Sequence, residues 1–296
     1  MKAVSISELC RLLGENRQKY YRNIWSERRS RKRATEVVEH VREVRAAMPR
    51  LGGRKLYHIL KPWLRDLGVG RDRLFDILRA NNMLIQPVRS YHVTTNSHHR
   101  FRKHKNLIAD MEVTRPEQVF VSDITYIRNR GRHMYLALVT DAYSKKIMGY
   151  DLSDSLGTEG SLRALRMAHA NRTYAEEPLI HHSDRGIQYC SDQYQEKLRK
   201  YGITTSMTES YDPYANAIAE RVNGILKQEF LLEGLNLPLS LMKKVVKESV
   251  STYNTKRPHL SCGYNTPEFM HKQCTLKIKT YKKADKKTLS EASDSV

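Results

Sequence analysis

Val121-Ser122-Asp123-Ile124-Thr125-Tyr126 lies inside a β-rich run over residues 117–127. Two similar runs follow at 132–141 (Arg132-His133-Met134-Tyr135-Leu136-Ala137-Leu138-Val139-Thr140-Asp141) and 145–152. The short connectors between them predict an antiparallel meander. Onward from the meander, a helix is expected over about 158–173, with Leu162, Leu165 and Ala168 inward. A strand at 178–183, a helix at about 191–200 and a strand at 203–207 come next. A long helix at about 214–232 and another at about 238–255 close the pattern. The order βββαβαβα predicts an α/β fold: a mixed five-stranded sheet with helices on its faces. Within that sheet Asp123 stands out, because a carboxylate in an otherwise apolar strand is costly to bury unpaired.

Upstream of the meander the periodicity is helical. Residues 5–24 carry one short pattern (Ile6, Leu9, Leu12, Leu13, then Tyr20, Tyr21, Ile24). Arg28 to Arg33 is a basic run, read as a solvated face or a phosphate contact. Val37, Val41, Val44 and Met48 form one stripe of an amphipathic helix over 35–48, read as core packing ahead of a dimer seam. Residues 53–66 turn Leu56, Ile59, Leu60, Trp63 and Leu64 inward, with Leu67 just beyond, and Pro62 interrupts them. Gly68-Val69-Gly70 makes a turn into 71–81, where Leu74, Ile77 and Leu78 point in and Arg71, Arg73 and Arg79 point out. Helix, tight turn, then a helix with arginines at its start is the shape of a helix-turn-helix DNA reader. Any helical hairpin shares that shape, and the clustered charge tips the reading toward DNA.

Residues 86–106 are polar and basic, a linker in which Arg100, Arg102 and Lys103 are candidates to track a phosphate backbone. His92, His98, His99 and His104 have no cysteine or carboxylate beside them in sequence and read as solvated rather than metal-bound. The expected organisation is an all-α N-terminal helical region at 1–50 and a helix-turn-helix domain at 51–85. A basic linker at 86–112 leads into a catalytic core at 113–274, and a disordered tail follows at 275–296.

Charge bounds the partner. The 296-residue chain carries net +20 with a pI of about 9.8, as expected for a protein with a polyanionic partner. Residues 1–110 hold 25 Lys+Arg against 10 Asp+Glu, and residues 111–296 hold 27 against 22. The excess sits in the N-terminal third, as for a binding module joined to a less basic core. Cys10, Cys190, Cys262 and Cys274 form no Cys-x-x-Cys pair, which argues against a zinc ribbon and fits a reducing cytoplasm. No apolar run approaches the ~20 residues that cross a bilayer, and no apolar secretory segment follows Met1, so a soluble intracellular protein without membrane partners is expected.

Two more carboxylates join Asp123. Asp184 ends Pro178-Leu179-Ile180-His181-His182-Ser183-Asp184, and Glu220 lies in the long helix, separated from Asp184 by residues 185–219. Each alone reads more easily as structural: an edge residue, a turn residue and an exposed helical glutamate. Together, two strand carboxylates and one helix carboxylate can hold two hard cations over a phosphodiester, since Mg²⁺ takes oxygen ligands and completes its shell with water and phosphate. Asn216, Glu220 and Lys227 return to one helix face at i, i+4 and i+11.

Four ordered blocks carry a family resemblance covering about residues 5–270. They are Asp123-Ile124-Thr125-Tyr126; His182-Ser183-Asp184-Arg185-Gly186-Ile187-Gln188-Tyr189; Asn216-Ala217-Ile218-Ala219-Glu220-Arg221 through Leu226-Lys227-Gln228-Glu229-Phe230; and Tyr253-Asn254-Thr255-Lys256-Arg257-Pro258-His259, closing with Thr266-Pro267. The chain resembles the OrfB-type transposases of bacterial insertion sequences, whose core is similar to retroviral integrases. The resemblance implies an RNase H-like core in which the strands of Asp123 and Asp184 are neighbours. It implies Asp123, Asp184 and Glu220 as the catalytic, metal-binding triad for two Mg²⁺ ions, with Mn²⁺ able to substitute, and Thr125 and Asn216 as supporting residues. Phe120 stands where the family often has Trp, and Ala215 where it often has Asp; neither touches a triad carboxylate.

Activity is then expected to be cleavage and strand transfer at the terminal inverted repeats of an element. The partners implied are double-stranded DNA, a second or further copies of the chain, and in some family members an upstream-frame protein or fusion. A bacterial, nucleoid-associated location follows. Lys227 divides evenly between a phosphate contact and a surface lysine. Arg257 and His259 could touch DNA or pack on the catalytic helix, with packing slightly favoured. Two alternatives stay open: an RNase H-like nuclease that cleaves without joining, and a non-catalytic DNA-binding remnant.

Overall fold

The structure, a computed structural model, describes residues 5–86, 104–109, 111–129, 131–208, 217–274 and 276. The chain divides into two compact units, residues 1–90 and 91–296.

The first unit is helical. Ser5 caps α1 (Ile6–Leu12) through a capping box with Glu8. The single helical pattern expected over 5–24 is broken after Leu13: Gly14 takes φ +66, and the Asn16 side chain caps a new helix. That helix, α2 (Arg17–Ala47), runs unbroken for 31 residues, taking in both the basic run and the valine stripe. Val37, Val38 and Val41 are buried, and α2 packs on α3 (Gly53–Asp66) and α4 (Arg71–Ala80). The stripe is therefore core. Leu56, Leu60 and Leu64 of α3 and Leu74, Ile77 and Leu78 of α4 complete it. Pro62 does not end α3, because it stands on the exposed side of the helix.

The second unit is built on β1 (Val119–Asn129), β2 (Arg132–Asp141), β3 (Ile147–Ser153), β4 (Ile180–Ser183) and β5 (Thr204–Met207) in the order β3-β2-β1-β4-β5. The meander β1–β2–β3 is antiparallel, while β4 runs parallel to β1 and β5 parallel to β4. This mixed order, with helices on both faces, is the RNase H-like arrangement. Alternation sorts the β1 side chains between two layers. Phe120 faces α5 (Thr158–Ala170) and α7 (Asp192–Lys200), packing with Leu162, Leu165, Ala168, Tyr194 and Leu198. Val119 and Val121 face the other way, toward Ala219 of α8 (Ala217–Gln228).

Gly149 lets α5 lie directly on β3, since a Cβ there would come within 2.6 Å of the Ala168 backbone nitrogen. A short α6 (Ile187–Cys190) follows the turn at Arg185-Gly186. The helix expected to run to residue 232 ends at Gln228: Leu231 adopts φ +55, and Phe230 and Leu232 turn into the core. Beyond it come α9 (Leu239–Thr255), a 3-10 turn (Leu260–Cys262) and α10 (Pro267–His271).

A buried polar cluster ties α10 to the sheet. Glu117, just before β1, accepts from Arg172 (3.1 Å), from the backbone of Thr173 (2.6 Å) and Tyr174 (3.1 Å), and pairs with His271 (3.1 Å). Asp141 accepts from the Glu117 and Ser144 amides and faces the other nitrogen of the His271 ring at 3.4 Å. Two buried carboxylates are thus matched by Arg172 and His271, the condition under which buried charge is tolerated.

Candidate active site

Parity decides where Asp123 points. It shares its face with Val119 and Val121, hence with α8. The parallel pairing runs Phe120↔His181, Val121↔His182 and Ser122↔Ser183, so Asp184, the next residue after β4, comes alongside Asp123. Gly186 donates its amide to Asp184 Oδ1 at 3.0 Å, and a Cβ at Gly186 would sit 3.0 Å from that oxygen. The glycine therefore lets the turn fold back on the carboxylate.

α8 supplies the rest. Its apolar side, Ala219, Val222, Ile225 and Leu226, is buried, and Glu220 is exposed. Asn223, one turn from Glu220, is buried and donates Nδ2 to Asp123 Oδ2 at 2.7 Å. Its Oδ1 has no hydrogen-bond partner among the described residues.

Electrostatically the site is overloaded with negative charge. Burial first, then the charge of Asp184, lifts the Asp123 carboxyl from 3.8 to about 7; the bonds from Asn223 and the Ile124 amide oppose the lift, and Glu220 adds a smaller push. Burial, followed by Tyr135 and the charges of Asp184 and Asp123, also raises the Tyr126 hydroxyl. All three carboxylates therefore act in one electrostatic neighbourhood. Among the described residues no three His, Cys, Asp or Glu side chains are gathered closely enough to ligate one ion.

Behind the strands, Ser122 Oγ and Tyr194 OH both meet His181 Nε2, at 2.8 and 2.9 Å. Burial, with His182 next to it, drives the His181 ring down to about 3, so it is a neutral core residue. His182 bonds Ser206 at 2.9 Å. The first set ties β1 to β4 on the face opposite the carboxylates, and the His182–Ser206 bond ties β4 to β5.

Residues 113–213 match the integrase core domain family, and residues 201–267 match a second family of the same description. The insertion element IS600 uncharacterized 31 kDa protein of Shigella sonnei is 31% identical over 263 residues, covering 88% of this chain and 96% of that protein. The chain belongs to the insertion-sequence transposases with an integrase-type core. The transposase InsF for insertion sequence IS3fB of Escherichia coli is 29% identical over 91% of this chain and 94% of its own length. A solved structure, the HTLV-2 integrase catalytic core domain in complex with magnesium, is 21% identical, covers 53% of this chain and 97% of that one, and has a TM-score of 0.43. As a transposase of this family the chain is a polynucleotidyl transferase.

The other residues singled out in the sequence scatter. Thr125 is in β1, partly buried, paired with Leu136. Arg71, Arg73 and Arg79 are exposed on α4, bonded to Asp72 (2.9 Å), Ser30 (2.5 Å) and Asp76 (2.7 Å). Lys227 pairs with Glu233 at 2.8 Å. Arg100, Arg102, Lys103 and Asn216 lie outside the described residues. Arg257, a candidate DNA contact that could also pack, packs. It is 1% exposed, gives two 2.9 Å bonds to Glu229 and lies 5.7 Å from the Tyr253 ring centre. A guanidinium so enclosed braces the end of α8 and does not reach a phosphate. His259, bonded to Tyr253 at 2.9 Å, is likewise a packing residue. Asn223 escaped the sequence reading: the packing of α8 on β1, not any spacing within the helix, brings it to Asp123.

Proposed function

We propose that this transposase binds the terminal inverted repeats of its element and catalyses Mg²⁺-dependent strand cleavage and strand transfer. The observation carrying this reading is the pair Asp123, within β1, and Asp184, just past the end of the parallel β4, side by side under the helix that bears Glu220. Burial first, and then the negative charge of Asp184, lifts Asp123 to about 7, and bound cations would offset both. The donor set is all oxygen, suited to hard divalent ions that keep part of their water.

Asp123, Asp184 and Glu220 would hold two Mg²⁺, with Mn²⁺ an allowed substitute. Bound there, the ions supply Lewis-acid stabilisation of the attacking and leaving oxygens of an in-line displacement. The chain's own work is positional. Asn223 turns one oxygen of Asp123 through its hydrogen bond, and the Gly186 amide turns one of Asp184. Thr125 and Asn216 are supporting residues. In the first unit, residues 51–85 serve as the helix-turn-helix domain behind the helical region 1–50, with Arg71, Arg73 and Arg79 toward DNA. Residues 86–112, including Arg100, Arg102 and Lys103, link it to the catalytic core at 113–274. Two element ends require at least two copies of the chain, working in the bacterial nucleoid.

A strand-transfer assay on a pre-cleaved element end tests this. Joined product appearing only with Mg²⁺ or Mn²⁺ is the expected result. Hydrolysis with no joined product would make the core a nuclease.

A further inference from the structure

We propose that a stripe of three arginines on α2, Arg22, Arg29 and Arg33, holds a DNA phosphate backbone beside the helical hairpin. The inference rests on the DNA-binding reading above and gives it a defined surface. At 100° per residue the three fall within a sector of about 40°. All three are exposed, and none has an ion-pair partner among the described residues.

Two contacts fix where the stripe lies. Arg73, at the start of α4, donates to Ser30 Oγ at 2.5 Å, and Ser30 flanks the stripe. Arg33 Nη1 lies 4.0 Å from where a Cβ on Gly68, in the α3–α4 turn, would be. The arginines therefore continue the surface that starts with Arg71 and Arg73.

The rest of the helix explains why that surface is left open. Val37, Val38 and Val41, in the C-terminal half of α2, are buried with α3 and α4. The N-terminal half carries few buried side chains. From Arg22 to Arg33 the helix rises about 16 Å. That matches roughly five base pairs, each duplex presenting one charge per ~1.7 Å of axis. Arg28 and Arg31 belong to the same basic run but project away from the stripe, as does the exposed Arg42 further along α2, and Glu27 already pairs with Arg31 at 2.5 Å; Lys32 lies between the two faces. The run thus divides into a stripe beside the hairpin and a solvated face.

Binding of the full chain to a short mixed-sequence duplex, read by fluorescence anisotropy from about 50 to 200 mM KCl, tests this. Three proteins are compared with wild type: Arg22→Gln/Arg29→Gln/Arg33→Gln; the charge-matched Arg28→Gln/Arg31→Gln/Arg42→Gln; and Arg22→Lys/Arg29→Lys/Arg33→Lys. Circular dichroism confirms that each keeps its helix content. The stripe variant should lower the slope of log K against log salt by about 2.7, or 0.9 per phosphate contact. The opposite-face variant should leave the slope near wild type, and the lysine variant should retain it. Equal loss in both glutamine variants, or loss in neither, overturns the proposal while leaving DNA binding intact. A wild-type chain that shows no salt-dependent binding defeats the DNA reading itself.

Discussion

Arg257→Ala should destabilise the core without touching DNA. The side chain is 1% exposed and makes two 2.9 Å bonds to Glu229, so its removal takes both bonds and the neutralising charge from a carboxylate that is only 18% exposed. Breaking a buried pair costs about 3–5 kcal/mol. Glu229 can regain some water, which places the loss near the lower end, about 3 kcal/mol. For a unit of this size 1 kcal/mol is worth roughly 2–4 °C, so the core's thermal transition should fall by about 6–12 °C. Arg257→Lys keeps the charge but only one of the two bonds, and should recover part of the loss. Calorimetry follows the transition of the second unit, because a two-unit chain need not melt in one step. In parallel, the salt slope of DNA binding should be unchanged. A stable Arg257→Ala protein with a slope reduced by about one would mean that the arginine is a phosphate contact after all.

The cluster around His271 makes stability depend on pH. Burial disfavours its charged ring, but the bonds to Asp141 and Glu117 outweigh that and raise it above 6.5. Its contribution is therefore complete below about 6.5 and lost as pH rises through the raised folded value. Burial alone would raise Glu117, yet His271, Thr173, Tyr174 and Arg172 hold it down to about 2, so its contribution is complete above 4.5 and lost as pH falls from there through about 2. The melting midpoint of the core should be highest between about pH 4.5 and 6.5, and His271→Gln should remove the alkaline decline this ring causes; an unchanged profile argues against the cluster. Gly149→Ala should drive a Cβ into the backbone of α5 and cost about 3 kcal/mol or more, read as loss of the core's thermal transition; a normal melt would refute that contact. Asn223→Ala should slow strand cleavage about 10–100-fold with DNA affinity unchanged. Asn223→Asp, which sets a further carboxylate against Asp123, should be worse than alanine, and an aspartate variant as active as wild type would remove the positioning role.

The meander and its order were readable in the sequence because β-rich runs over 117–127 and 132–141 joined by short connectors are a local signal. So was the valine stripe at 37–41, which became the core of the first unit. Charge, burial and chain reversals were harder. Arg257 sits in a chain of net +20, where an arginine can equally be a phosphate contact or a packing residue, and only its bonds to Glu229 show it enclosed. The break at Gly14 was hidden by apolar residues on both sides of it. The end of α8 at Gln228 has no glycine or proline to announce it; it comes from Phe230 and Leu232 entering the core. Asn223 went unnoticed because its role depends on β1 lying beneath α8, which no spacing within the helix reveals.

The most direct test replaces each carboxylate with its neutral isostere, Asp123→Asn, Asp184→Asn and Glu220→Gln, and follows cleavage and joining of an element end in Mg²⁺. Each variant should bind the DNA as wild type does and yield neither cleaved nor joined product above background. Retention of joined product by any one of the three would contradict a shared active site built from Asp123, Asp184 and Glu220.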